Sequence, residues 1–236
     1  MNNTAKKFYP YYLELYNKLV EKEFVVDKSG VKMVEVIAPR IELNLNDDGY
    51  IDFESRKSPR KYVELEKKWY LSKSLSIDMV SNIEIWKNVC DKNQEINSNY
   101  GYLVYGRGNF NQFDNCLEKL KTHKESRQAI ILYNRPSMHY EWNSFGESDF
   151  TCTLSQQFFI RNNKLECVTS MRSNDAIFGT FSDIPWFTFV AHDMFNKLLV
   201  TYPEIKLGKH IFIPNSFHCY EKHFDLLKSI VDNDSL

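Results

Sequence analysis

The strongest constraint on the fold is a pair of strand-like runs, residues 154–161 and 164–171, with almost nothing between them. Arg161-Asn162-Asn163 stands at the junction and reads as a hairpin turn, because asparagine tolerates the left-handed backbone that tight hairpins need. An antiparallel hairpin is therefore expected near the middle of the chain. Residues 184–200 follow as a long apolar helix.

The remaining segments are mixed. Residues 10–24 carry Tyr12, Leu13, Leu15, Tyr16, Leu19 and Val20 at helical spacing. Pro10 is expected in the first turn of that helix, where a missing N–H costs nothing. Residues 34–45 read as strand, with Pro39 an edge or a break. Helices are expected over 62–71 and 114–123, a short buried strand over 129–133, and a closing strand pair over 209–220 around Pro214-Asn215. Strands and helices do not alternate strictly, which predicts an α+β fold. No linker-like stretch, repeat or low-complexity segment divides the 236 residues, so a single domain over 1–236 is expected.

A net charge of −1 argues against a general binder of polyanions, since such proteins are usually basic. A local cluster of Arg and Lys could still hold one phosphate. Aromatic residues make up 15% of the chain, which suits broad sheets or a pocket that stacks flat ligands. The five cysteines are odd in number and form no C-x-x-C pair, so neither a disulfide framework nor a metal site is expected. Reduced thiols fit a cytoplasmic protein. The opening MNNTAKKFYP lacks the apolar core of a signal peptide, and no run approaches a membrane span.

Two segments carry candidate chemistry. Cys152, in Asp149-Phe150-Thr151-Cys152-Thr153, leads straight into a strand and reads either as a core residue or as a nucleophile. Arg172-Ser173-Asn174-Asp175, a polar cluster able to hold phosphate, stands at the end of the next strand. If the strands pair, Cys152 and Arg172 share a pocket, and the cation favours a thiolate. Arg172 could equally form a surface salt bridge. Asp183 could cap the apolar helix. His218 and Tyr220 lie two apart on one side of a strand, although His218 could be an ordinary core histidine. Glu66, beside Lys67 and Lys68, reads most simply as a solvated helix carboxylate. Lys28 sits in a turn, able to reach an anion or solvent. The residues alone go no further than a nucleophilic cysteine with an anion site.

The run Met171-Arg172-Ser173-Asn174-Asp175-Ala176-Ile177-Phe178-Gly179 resembles the central motif of the thymidylate synthase superfamily, R-S-x-D-x-x-x-G. Cys152 stands upstream at that superfamily's nucleophile spacing, and His218-Cys219-Tyr220 resembles its H-x-Y. Trp86 after Ile85, and Asn99-Tyr100-Gly101, fall in the same order. The runs EFVVDKSGVK, WYLSKSL, EINSNYG, RPSM, SDFTC and MRSND are similar to the deoxycytidylate 5-hydroxymethylase branch, known from phages. The likeness extends from about residue 23 to about residue 220. It implies a three-layer α+β fold on a large twisted mixed sheet. It also implies a homodimer with the sheets back to back and active sites shared between subunits.

The same resemblance implies roles. Cys152 would add to C6 of a pyrimidine nucleotide, making C5 the nucleophile toward the one-carbon unit of the co-substrate 5,10-methylenetetrahydrofolate. Arg172 and Ser173 would hold the phosphate, with Lys28 and with Arg127 of the second subunit; the family usually has a further arginine where Gln128 stands. His218 and Tyr220 would bind the sugar 3′-hydroxyl. Glu66 would be the general acid/base, with Glu64 a rival if the register slips by two. Trp86, Tyr100 and Asp175 would line the folate and nucleotide pocket, with Tyr105 a rival for the tyrosine role.

Asp183 discriminates between substrates. Synthases acting on uracil place Asn there; a carboxylate suits cytosine, whose N4 amino group donates, and favours a protonated N3. Two acceptors facing each other, as uracil O4 and a carboxylate would, cost roughly 1–3 kcal/mol. Cytosine is the expected base. Thr153 stands where synthases commonly have His, and the chain ends at Ser235-Leu236 without the usual synthase tail that excludes water. Both features favour addition of water over hydride, and so a hydroxymethyl product with tetrahydrofolate. No nucleic acid, membrane or metal partner is expected.

Overall fold

The computed structural model describes residues 1–142, 146 and 148–234; Ser235 and Leu236, on which the tail expectation rests, lie outside them. Among the described residues the strands form two sheets that meet along one fault line. The first runs in the order β1 (Val25–Val26), β2 (Lys32–Ile37), β9 (Ser216–Tyr220), β7 (Asn174–Asp175). The second runs β3 (Ile41–Asn44), β8 (Lys206–Pro214), β6 (Lys164–Met171), β5 (Thr153–Arg161), β4 (Ile130–Leu132). The β6–β8 and β7–β9 pairs are parallel and the others antiparallel, so both sheets are mixed.

Three segments cross the fault. The chain passes from β2 to β3, from β6 to β7 and from β8 to β9. Rungs at the crossing hold it closed: Ala38 N to Asn215 O at 3.0 Å, Asn215 N to Met171 O at 2.7 Å, and Arg172 N to Cys152 O at 2.8 Å. Pro39 and Pro214 have no N–H to give a ladder, and Ala38 is left-handed at φ 49°. Residues 34–45 are consequently two strands in two sheets, with Pro39 as the break. Residues 209–220 are likewise two strands in succession, and they do not pair with each other.

The expected hairpin is present. Asn162 (φ 50°) and Asn163 (φ 56°) are both left-handed, the geometry of a two-residue type I′ turn. Phe158 opposes Cys167 and Ile160 opposes Leu165 on the buried face. At the other end of β5 the register shifts between Thr153 and Ser155, a bulge next to Cys152.

Helices cover one face of the sheets: α1 (Asn3–Val20), α2 (Arg60–Ser72), α3 (Glu84–Val89), α4 (Tyr100–Tyr105), α5 (Gln112–Thr122), α6 (Met138–Glu141), α7 (Gly179–Leu198) and α8 (Phe224–Asn233). Helix α1 begins well before Pro10, because the Asn2 side chain caps it by accepting from Ala5 N at 2.9 Å. Its buried stripe is Ala5, Phe8, Tyr12 and Leu15, and Tyr12 donates to the Ala176 carbonyl just after β7. Helix α7 is apolar on nearly every side, burying Phe181, Ile184, Phe187, Ala191, Met194 and Leu198, so it lies in the middle of the protein. Helix α2 packs on both α7 and α4, and α4 reaches the sheet at β4 and at Thr153. Gly101 permits the contact of α2 with α4, since a Cβ there would lie 1.7 Å from the Tyr70 carbonyl oxygen. Each buried large side chain contributes roughly 1.5–3 kcal/mol.

No helix among the described residues is long and apolar enough to cross a membrane. The opposite face of the five-stranded sheet is less covered. Phe159, Val168, Ile211 and Ile213 are half-buried there, and Ile130 and Leu132 on the edge strand β4 are exposed. The strand expected over 129–133 is present as β4 and is buried on one side only: Ala129, Ile131 and Tyr133 face inward, and Ile130 and Leu132 face outward.

Candidate active site

The fault line carries the candidate nucleophile. Cys152 immediately precedes β5, and its neighbours at alternate positions are tied to the start of α4. Asp149 accepts from Ser98 N at 2.6 Å and from the Ser98 hydroxyl. Thr151 Oγ1 lies 3.3 Å from Ser98 Oγ, and Thr153 Oγ1 donates to the Tyr100 hydroxyl at 2.8 Å. Arg172 closes the other side. Its guanidinium donates to the carbonyls of Phe150 and Thr151 and reaches the Cys152 sulfur at 3.4 Å. The structure thus unites Cys152 and Arg172, as strand pairing requires. It corrects the expected thiolate: burial pushes the Cys152 thiol up to about 11, Arg172 pulls it down, and the charges of Asp183 and Asp149 add to the rise.

Glu66 is not on a solvated face. It shares the inner side of α2 with Val63, Trp69 and Tyr70 and is 5% exposed. Burial pushes its carboxyl up to about 7 against the hydrogen bonds of Tyr62 and Tyr70, the first at 2.5 Å. Glu64 turns away, bonded to Lys67 at 2.6 Å and to the Tyr50 hydroxyl at 3.0 Å. The two carboxylates differ in burial and partners, Glu66 facing inward and Glu64 bonded at the surface, although both line the groove between α2 and α7.

Asp183 is not an N-cap, because α7 starts at Gly179 and places it within the helix. Asn174 Nδ2 donates to its Oδ2 at 2.9 Å, and Thr180 donates to Asn174 Oδ1, which fixes the orientation of that amide. Burial first, then the charge of Glu66, holds the Asp183 carboxyl well above the usual range. Tyr100 feels the charges of both Asp183 and Cys152. Cys152, Glu66, Asp183 and Tyr100 therefore surround one region, reached from α2, α4, α7 and the fault line.

His218 and Tyr220 share a face of β9, with ring centroids 4.8 Å apart. Asp175 pairs with His218 across β7 and β9. Its carboxylate accepts from Ile177 N at 2.7 Å and Phe178 N at 3.1 Å, which makes it the cap of the turn into α7. Ser173 lies next to Arg172 in the crossing between β6 and β7. Lys28, in the β1–β2 turn, lies over the Trp142 ring at 4.8 Å. Trp86 packs on Trp69 at 4.9 Å and forms part of the wall behind Tyr62. Tyr105 points away to Asp193, at 3.1 Å, which leaves Tyr100 as the tyrosine beside Cys152. Arg127 is exposed, and its carbonyl accepts from the Gln157 side chain at 2.8 Å. Gln157 is five residues along β5 from Cys152, about 16 Å at strand rise. Its own chain does not bring Arg127 to the cluster.

A groove of about 290 Å³ opens between α2 and α7, floored by Tyr70, Trp186 and Phe189, with Glu66 and Ser182 on its walls. An aromatic floor with a titratable carboxylate suits a flat heteroaromatic co-substrate. Among the described residues no group of three or more His, Cys, Asp or Glu side chains could hold a metal ion. Asp149, Ser98, Asn174 and Tyr62 are site residues that the sequence left unassigned. For the first three the one local signal was proximity, in SDFTC, EINSNYG and MRSND, to residues already singled out; Tyr62 stands one helical turn before Glu66.

Residues 10–235 match the family model described as thymidylate synthase. The chain is 38% identical over 226 residues to the deoxycytidylate 5-hydroxymethyltransferase of Enterobacteria phage T6, covering 91% of this chain and 87% of that protein. The enzyme of the same name from Enterobacteria phage T4 is 37% identical over the same shares. A thymidylate synthase from Wigglesworthia glossinidia brevipalpis is 24% identical, over 92% of this chain and 81% of its own length. With the fold, the fault-line cysteine and the match over nearly the whole length, this chain belongs to the thymidylate synthase family.

Proposed function

We propose that this protein is a deoxycytidylate 5-hydroxymethyltransferase, moving a one-carbon unit from 5,10-methylenetetrahydrofolate to C5 of dCMP. The observation that carries the choice of base is Asp183, a carboxyl beside Cys152 and Glu66 with one oxygen already taken by the oriented amide of Asn174. Burial and the charge of Glu66 raise the Asp183 pKa and so favour the form that carries a proton. Cytosine N3 can take that proton, and N4 can donate back to the carboxylate. Protonation at N3 draws electrons from C6 and prepares it for the thiol. Uracil already has a proton on N3 and gains nothing from the transfer. Activation of cytosine adds to the expected mismatch with uracil O4, and both support cytosine as the base.

Cys152 then bonds to C6 as its S–H bond breaks and the proton passes to water, and C5 becomes the nucleophile. Folate supplies the methylene carbon. Glu66, poised near 7, can hold or release a proton at neutral pH, the property needed to remove H5 and to activate water for the final addition. Arg172, Ser173 and Lys28 would take the phosphate. Trp86, Tyr100 and Asp175 would line the folate and nucleotide pocket. Transfer in the cytoplasm is part of the same proposal.

A homodimer follows from two features. The uncovered sheet face carries Phe159, Val168, Ile211 and Ile213, flanked by Ile130 and Leu132, a patch that a second copy would bury. Arg127 lies far from its own Cys152 and is free to serve another subunit's phosphate site.

The deciding experiment is mass analysis of the products from dCMP and methylenetetrahydrofolate. The expected result is dCMP enlarged by one CH2O unit, with tetrahydrofolate. Stoichiometric dihydrofolate with a methylated nucleotide would overturn the assignment.

A further inference from the structure

We infer that Glu35 and Ser216 are positioning residues that fix which nitrogen of His218 carries its proton, and so make the site select nucleotides with a free 3′-hydroxyl. The inference rests on the assignment of His218 and Tyr220 to the sugar.

Ser216, His218 and Tyr220 alternate along β9 and share one face. On the neighbouring strand β2, Glu35 stands directly opposite His218. The Ser216 hydroxyl donates to Glu35 Oε1 and lies 3.2 Å from His218 Nδ1. A carboxylate can only accept, so the single hydroxyl proton of Ser216 is committed to Glu35. The oxygen of Ser216 then presents a lone pair to the ring. That lone pair asks for a hydrogen on Nδ1, and the neutral ring has only one to give.

Nε2 is left bare, and it makes no bond to any described residue. Burial lowers the pKa of the ring and favours its neutral form, against the charges of Asp175, Glu35 and Asp27. The Tyr220 hydroxyl is held protonated by burial and by the nearby charges of Asp27 and Asp175, so it remains a donor. A sugar 3′-hydroxyl placed between them uses both of its capacities: it donates to Nε2 and accepts from Tyr220. A 3′-deoxy sugar leaves the acceptor and the donor unmatched. A 3′-phosphate has no hydrogen to give and brings negative charge to an acceptor nitrogen. The site is thereby restricted to free monomers, as opposed to nucleotides linked through O3′.

The relay can be read directly, without substrate, from long-range 1H–15N spectra of protein labelled at histidine. The expected tautomer of His218 has hydrogen on Nδ1 and a bare Nε2; hydrogen on Nε2 in the wild type overturns the proposal. Equilibrium titration with dCMP and with 2′,3′-dideoxycytidine monophosphate reads the consequence. The wild type should prefer dCMP, Ser216→Ala should reduce that preference about tenfold, in line with one mis-set hydrogen bond, and Ser216→Thr should restore it. Glu35→Leu should match Ser216→Ala, with an unchanged fold verified by the rest of the spectrum. A preference unaltered in Ser216→Ala, with dCMP binding intact, sinks the relay alone. Failure of the wild type to bind dCMP would instead remove the nucleotide assignment on which the relay rests.

Discussion

The sulfur of Cys152 lies 3.4 Å from the Arg172 guanidinium, yet the thiol sits up at about 11. Desolvation outweighs a single cation that also donates through Nε to the Thr151 carbonyl and through Nη2 to the Phe150 carbonyl. In the free protein burial therefore favours the thiol form of Cys152. Titration of Cys152 by thiolate absorbance, using Cys152→Ala as the blank, should show no transition below pH 9. Arg172→Leu should move the transition higher still. A wild-type transition near 7 would mean that the cation wins after all.

Glu66 costs stability. Its carboxyl titrates at about 7 in the folded protein, against 4.5 for a freely solvated glutamate. Between those values the folded chain binds more protons than the unfolded one, so stability falls as pH rises through the window. The loss is complete above pH 7 and amounts to roughly 3 kcal/mol, since each tenfold change in proton affinity is worth about 1.4 kcal/mol. Glu66→Gln should therefore be more stable than wild type to urea at pH 8 and nearly equal at pH 4. The same variant should lose turnover by roughly 10²-fold or more, the usual value of a general acid/base. A wild-type advantage at pH 8 would show that Glu66 is not buried as described.

Asp183→Asn should retain the bond to Asn174 by turning its oxygen toward that amide, which leaves NH2 facing the base. Preference should then move from dCMP toward dUMP by about tenfold or more, since a buried mismatched pair is worth roughly 1–3 kcal/mol. Competition between the two nucleotides, read as tritium release from C5, measures it. An unchanged ratio would show that Asp183 does not read the base.

The proposed sharing of active sites between two subunits can be tested by mixing. Arg127→Ala and Cys152→Ala should each be nearly inactive alone. Unfolded together and refolded, they should regain activity, because a mixed dimer contains one site with both residues intact. No recovery in a verified mixed dimer would place Arg127 outside the neighbouring site.

Local information in the sequence determined the elements. Asn162-Asn163 specified a two-residue turn by backbone tolerance alone, and the helical spacing of apolar residues placed α5 and the body of α7. Motif spacing placed Cys152, Arg172, Asp183, His218 and Tyr220. Element boundaries were less legible. The cap at Asn2 starts α1 ahead of Pro10, and α7 begins at Gly179, which turned Asp183 from a cap into an inward-facing residue.

Charge states and partners were decided only in three dimensions. Glu66 beside two lysines looks solvated in one dimension, and its burial depends on packing α2 onto α7. Arg172 beside Cys152 suggests a thiolate until the depth of the site is known. Asp149 meets Ser98, and Glu35 meets Ser216, across 51 and 181 residues of chain. Desolvation and long-range pairing are properties of the folded assembly, because they depend on what surrounds a side chain and not on what precedes it. Spacing along the chain could nominate the nucleophile, and only the fault line between the two sheets could set its protonation.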